Sequence, residues 1–170
     1  MGWIDTPLTD EGVQNAAASA AKLKGIKFDK IVSSDLGRAF TTAYLISRKI
    51  GFTDEIERSS ELREVSYGDL ANQPYSAYPK LSPAENADYV HKNGESLAQM
   101  QRRVIACVQR LSADNPDKTI LLVAHDGTIN AVNAAFLKES IGIVDSSRNS
   151  HDFAAKFTIE NGQITSFTEL

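Results

Sequence analysis

Apolar residues recur along this chain with two periods, and the switches between them divide it into alternating helices and strands. Val13, Ala16, Ala17, Ala20 and Leu23 follow Thr9 at helical spacing. Thr9 suits an N-cap, with Asp10 and Glu11 at the positive end of the helix dipole and Gly25 as a stop. Lys30-Ile31-Val32-Ser33 predicts a short buried strand. Asp35 is then expected to cap a helix that runs to about Ile50 and ends at Gly51. From Thr53 to Pro83 the pattern is irregular, with Pro74, Tyr75, Tyr78, Pro79 and Pro83 marking loops and one short helix. Gly94-Glu95-Ser96 opens a helix carrying Leu97, Met100, Val104, Val108 and Leu111 on one face. After the turn at Asn115-Pro116-Asp117, residues 119–124 predict the clearest buried strand. The helix after Gly127 carries Ile129, Val132 and Phe136. Phe153, Ala155, Phe157 and Ile159 alternate up to Asn161-Gly162, and Ile164 and Phe167 follow, which predicts a β-hairpin.

Strand, helix and strand in repeated order imply an α/β fold, a three-layer α/β/α sandwich with a mostly parallel sheet and an antiparallel C-terminal hairpin. In such sheets ligands bind beyond the carboxyl ends of the strands. Ser33-Ser34-Asp35 and His125-Asp126-Gly127 each end a predicted strand, so they are expected at the same rim.

Composition narrows the class. A chain of 170 residues with 42% apolar and 24% charged content suits one soluble domain spanning 1–170. The formal charge of -4 gives no support to nucleic acid or an anionic membrane as partner, so any anion site must be built locally. The single cysteine, Cys107, lies in an apolar helical pattern and is expected in the core; it excludes an intrachain disulfide and fits a reducing compartment. With no apolar run of membrane-spanning length and no signal peptide, a cytoplasmic location is expected. His91 and His151 belong to no motif and read as surface or structural, and three scattered histidines do not make a metal site.

Three side chains stand out by position. His125 closes an apolar strand ahead of a glycine and a helix, where backbone N–H groups favour an anion; it either serves that site or merely ends the strand. Arg38, three residues after Asp35, could address an anion together with the helix N-terminus, or pair with Asp35 on the surface. Glu64, one of two glutamates in residues 60–64, reads on composition alone as a solvated carboxylate.

The stretches Gly2-Trp3-Ile4-Asp5-Thr6-Pro7-Leu8-Thr9, Ser33-Ser34-Asp35-Leu36-Gly37-Arg38-Ala39, Leu62-Arg63-Glu64 and Val123-Ala124-His125-Asp126-Gly127 occur in one order. Together they resemble the histidine phosphatase superfamily, the phosphoglycerate-mutase-like enzymes. The resemblance implies a phosphomonoester phosphatase working through a phosphohistidine. Arg38 and His125 would hold the phosphoryl group and Glu64 would be the general acid; Gly2, Tyr67 and Gly127 would border the substrate. It implies no metal and no organic cofactor. The stretch between Glu64 and Gly94 is short, which favours hydrolysis over the alternative of a phosphoglycerate mutase. Asp126, and Ala71-Asn72 in place of a Glu-Gly pair, depart from the family pattern.

Related enzymes open with a strand ending in Arg-His-Gly, whose histidine is the nucleophile, and that motif is not in these 170 residues. The expectation is therefore an N-terminally incomplete domain that lacks its first strand and is inactive or nearly so. A noncatalytic relative that binds a phosphorylated ligand or a partner is the alternative. Interior strand edges left unpaired cost on the order of 1–3 kcal/mol per polar group. The expected remedies are a homodimer or other strand-supplying second chain, a swapped segment, or a rearranged sheet.

Overall fold

Thr9 caps the first helix as its sequence predicts, its side chain accepting a hydrogen bond from the Gly12 N–H ahead of α1 (Asp10–Lys22). The protein is described by a computed structural model over residues 2–143 and 152–170; the expectation for His151 lies outside these residues. Strand β1 (Lys30–Ser34) leads into helix α2 (Gly37–Ile50), which ends at a left-handed Gly51 with φ of 76°. The short strand β2 (Ile56–Ser59) follows, then three isolated 3-10 turns and the short helix α3 (Pro83–Asp88). Helix α4 (Leu97–Asp114) starts in a capping box in which Ser96 and Gln99 satisfy one another's backbone N–H groups. Strand β3 (Ile120–Val123), helix α5 (Asp126–Leu137) and the hairpin β4 (Ala155–Glu160) and β5 (Gln163–Glu169) complete the order. The hairpin turns through Asn161 and Gly162, both at positive φ (51° and 75°), as the Asn-Gly pair predicts.

The sheet has helices on both faces, and alternate residues of its strands choose between them. Ile31, Leu121 and Val123 pack with Ala43, Ile46, Ala20 and Leu23 of α1, α2 and the turn after α1. Val32, Ile120 and Leu122 pack with Cys107 and Leu111 of α4. This is the predicted three-layer sandwich, with β1 buried on both sides as parallel strands are. Cys107 is fully buried, as expected. In α1 the buried face is Ala16, Ser19 and Ala20; Val13 and Ala17, although in phase with it, are exposed. No helix among the described residues is long and apolar enough to cross a membrane.

Strands β2, β1 and β3 form one parallel sheet in that order, while β4 and β5 form a separate antiparallel pair. Of the expected remedies, a rearranged sheet is not seen among the described residues. Both sheets nonetheless meet one core, where Leu122 and the hairpin residues Phe157, Ile159, Ile164 and Phe167 pack around Val65, Met100, Val104, Val108 and Ala131. Among the described residues, strand β3 is paired only with β1. That explains a second correction, since Ile120, Leu121 and Leu122 are half-buried and only Val123 is buried, although the sequence presents the clearest buried strand here.

The start of α2 also differs from expectation. Asp35 does not cap it; its carboxylate is taken by Arg63 in a two-pronged pair at 2.7 and 2.6 Å. Leu36 is the N-cap residue and offers no side-chain acceptor. The acceptor comes from 32 residues upstream, where Asp5 Oδ1 receives the Gly37 N–H at 2.7 Å. Asp5→Ala is therefore expected to cost about 1 kcal/mol, read as a lower urea midpoint at unchanged slope. Asp5→Asn should retain most of that stability, and equal midpoints for Asp5→Ala and the unaltered chain would refute the remote cap.

Candidate active site

The carboxyl ends of β1 and β3 deliver two polar side chains to one point. Ser33 pairs with Val123 in the parallel register, so the chain emerges from both strands at the same level. Ser34 Oγ and His125 Nε2 meet at 2.9 Å, both buried. His125 is also the N-cap residue of α5, so the N-terminus of that helix opens beside it. Burial, then the nearby cations Arg38 and Arg103, push the imidazole down to about 3, so the ring is neutral at pH 7. Thr128 reaches from the first turn of α5 to the Leu62 carbonyl.

Arg38 projects from the first turn of α2 and is half-buried. It is not a surface arginine paired with Asp35, which is held by Arg63. Its Nη1 and Nη2 donate to the carbonyls of Ile4 and Gly2, each at 2.8 Å. Burial lowers its pKa and the charges of Glu64 and Asp5 raise it, but a guanidinium stays cationic under either influence. Gly2 is buried, with φ of 51°, and a Cβ there would press on the Val65 carbonyl and the Tyr67 ring. Trp3 donates from Nε1 to the Glu64 carbonyl at 2.7 Å and lies 4.8 Å beneath the Arg63 guanidinium. Residues 2–5 thus bridge α2 and the segment that carries Glu64.

Glu64 is no freely solvated carboxylate. Oε1 accepts from the Val65 N–H at 2.8 Å and Oε2 from the Gly127 N–H at 3.1 Å. Burial of its carboxyl raises its pKa, opposed by those two N–H groups; Asp126 raises it further and Arg38 lowers it. A carboxyl so placed holds its proton to higher pH than an exposed one. Gly127 makes room for it, because a Cβ at that position would overlap Glu64 Oε1. Tyr67 lies on the same side, its hydroxyl pushed up to about 12 by burial first and then by Glu64. Its ring meets Tyr78 and His91 edge-on, with centroids 5.3 and 5.1 Å away. His91 is itself buried in this aromatic cluster, so it is structural and not a surface residue.

Arg38, Glu64, His125, Tyr67, Gly2 and Gly127 therefore lie around one rim. Ser34, Arg63 and Arg103 belong there too. Arg63 stood in a quoted motif without a role of its own, and Arg103 had no sequence signal beyond a polar position on an amphipathic helix. Chemically the rim offers the three guanidinium groups of Arg38, Arg63 and Arg103, a helix N-terminus, a neutral imidazole and a carboxyl with a raised pKa. Such a set can bind an oxyanion and transfer a proton to it.

Comparison with known proteins points to one family. Residues 1–165 match the histidine phosphatase superfamily (branch 1). The chain is 32% identical over 152 residues to a glucosyl-3-phosphoglycerate phosphatase of Mycobacterium tuberculosis, covering 81% of this chain and 67% of that protein. The chain thus spans about two-thirds of the length of that relative. A solved complex of mycobacterial glucosyl-3-phosphoglycerate phosphatase with inorganic phosphate superposes with a TM-score of 0.66 at 32% identity, covering 84% of this chain and 74% of the other. YhfR of Bacillus stearothermophilus shares the fold with a TM-score of 0.81 at 24% identity, over 96% of this chain and 84% of the other.

Two outcomes follow from the geometry. His125 is neutral when folded and titrates near the ordinary histidine value when unfolded. Between about 6.5 and about 3 the unfolded state therefore binds the extra proton, and this contribution to stability is lost as pH falls through that window. His125→Gln is expected to flatten the slope of unfolding free energy against pH between pH 7 and pH 5; equal slopes would exclude a buried neutral ring. Gly127→Ala is expected to cost about 1–3 kcal/mol by overpacking. A second change, Glu64→Ala, should relieve part of that cost, and strictly additive losses in the double-mutant cycle would show that the two groups do not collide.

Proposed function

Because the chain belongs to the histidine phosphatase superfamily, we propose that its domain hydrolyses small phosphomonoesters through a phosphohistidine. The observation that carries this reading is the partly buried Glu64 carboxyl, its pKa raised, held by the helix α5 N-terminus within the field of Arg38. In the scheme a nucleophilic histidine nitrogen attacks phosphorus, the P–O ester bond breaks, and Glu64 gives its proton to the departing oxygen. Glu64 as carboxylate then takes a proton from water as the water oxygen attacks phosphorus and the P–N bond breaks. Arg38, His125 and the α5 N–H groups stabilise charge on the equatorial oxygens. Gly2, Tyr67 and Gly127 border the substrate, and no metal or organic cofactor takes part. The short connection from Glu64 to Gly94 favours hydrolysis over mutase transfer.

The nucleophile is the group these residues do not supply. Among the described residues the histidines are His91, enclosed by tyrosines, and His125, bonded to Ser34. An extended segment ending in Arg-His-Gly, paired parallel to the open side of β3, would end at the same rim as His125. A second chain could provide it. The 170 residues alone are therefore proposed to be nearly inactive. The engagement of both histidines also supports a second reading, a noncatalytic relative that binds a phosphorylated ligand.

The test measures phosphate binding by calorimetry and hydrolysis of an aryl phosphate on the 170-residue chain. Phosphate binding that weakens at least tenfold in Arg38→Met, with hydrolysis near background, is expected. No phosphate binding would overturn the site, and hydrolysis lost in His125→Ala would overturn the claim of inactivity. An in-frame Arg-His-Gly codon run ahead of Met1 separates the enzyme from the binding relative.

A further inference from the structure

The segment from Glu61 to Ser66 carries Glu64, yet beyond the 3-10 turn at Ser60–Leu62 it has no regular secondary structure. Its carbonyls face inward, and a single side chain from α4 satisfies three of them. Arg103 Nη1 donates to the carbonyls of Glu61 and Arg63 at 2.8 and 2.7 Å, and Nη2 donates to that of Glu64 at 2.8 Å. The remaining donors go to Glu95, with Nε on Oε2 at 3.1 Å and Nη2 on Oε1 at 2.6 Å. A guanidinium has five N–H groups, and all five are used. Glu95 extends the clamp, since its Oε1 also accepts the Ser66 N–H at 3.0 Å and its own N–H donates to the Ser66 carbonyl at 2.9 Å. The Arg103 and Glu95 side chains are only 20% and 16% exposed.

We propose that Arg103, braced by Glu95, is a positioning residue that fixes Glu64 in its seat against Gly127. The inference rests on the reading of Glu64 as the general acid. Anchoring the carbonyls of residues 61, 63 and 64 while also pairing with Glu95 suits a planar fork with five donors; a lysine ammonium has three donors around one atom. Without the clamp, Trp3 is the remaining partner of the Glu64 carbonyl among the described residues. The carboxyl then depends on the Val65 and Gly127 N–H groups alone, and is expected to spend more time in solvent.

A merely structural ion pair would change stability and nothing else, so the decisive readout is the titration of the Glu64 side-chain carboxyl, followed by carbon NMR on the labelled chain. The charged and titratable groups facing that carboxyl are Arg38 from α2, Asp126 from α5 and Tyr67 from its own segment, none of which the test alters. In Arg103→Lys the midpoint is expected to fall by about one pH unit or more, towards an exposed carboxylate. Glu95→Gln, which keeps shape and loses the charge, should shift it in the same direction and covers the case in which Arg103→Lys does not fold. Arg110→Lys is the control: it weakens the surface pair with Glu61 on the same segment and should leave the Glu64 midpoint in place. An unmoved midpoint in a folded Arg103→Lys or Glu95→Gln chain would overturn the proposal, as would an equal shift in Arg110→Lys. Phosphate binding by the unaltered chain tests the functional reading separately, so its failure and a failed clamp are told apart.

Discussion

The pairing of β1 with β3 sets the level at which everything else at the rim is built. Parallel neighbours point their carboxyl ends the same way, and here the ladder aligns Ser33 with Val123. A slip of one residue would turn Val32 and Leu122 from the α4 side to the α1–α2 side, and Ile31 and Val123 the other way. Packing on both faces therefore locks the register. Once it is locked, Ser34 and His125 have no choice but to meet. Strand β2 lies parallel on the other side of β1 and releases its chain at the same end, which brings residues 60–64 to the same place. Three loops converge because three short strands agree in direction and phase.

Converging loops create a second problem, which is solved with guanidinium groups. Backbone without a ladder needs partners for its carbonyls. Arg38 takes those of residues 2 and 4, Arg103 those of residues 61, 63 and 64, and Arg63 ties its segment to Asp35 after β1. The charges that order the loops also bring three cations to this rim on a chain whose formal charge is -4, with Arg63 and Arg103 paired to Asp35 and Glu95. After burial, Arg38 and Arg103 also help keep the imidazole of His125 neutral. Structure and electrostatics of the rim thus come from the same few side chains.

What could be read in the sequence follows physical locality. Helices α1 and α4, the body and Gly51 end of α2, and the C-terminal hairpin were legible because their caps, apolar faces and Asn-Gly turn are encoded within a few residues of one another. The convergence of residues 33–35 with 125–127 was legible because strand ends in a parallel sheet share a rim. Strand β2 was not, since Ile-Glu-Arg-Ser has neither alternation nor an apolar run, and only the neighbouring β1 makes it extended. The partners of Asp35 and Asp5 were misassigned or unseen for a related reason. Local spacing suggested a cap from Asp35, whereas Arg63 competes for that carboxylate from 28 residues away. Arg103 was equally hidden, because its role depends on carbonyl groups, which every residue has and no motif records. The half-burial of β3 shows the limit of composition: an apolar strand is only as buried as its neighbours make it.

Trp3 gives this arrangement an optical consequence. It is the only tryptophan in the chain, and it sits outside the hydrophobic clusters, at the rim, against the Arg63 guanidinium and the Glu64 carbonyl. Its indole is 43% exposed, so its emission depends chiefly on whether that cation and that hydrogen bond remain in place. Intrinsic fluorescence here is a gauge of the loop junction, while far-ultraviolet circular dichroism follows the helices. Melting curves from the two methods describe different parts of the molecule, and a gap between them measures how far the rim can loosen while the sandwich stays intact.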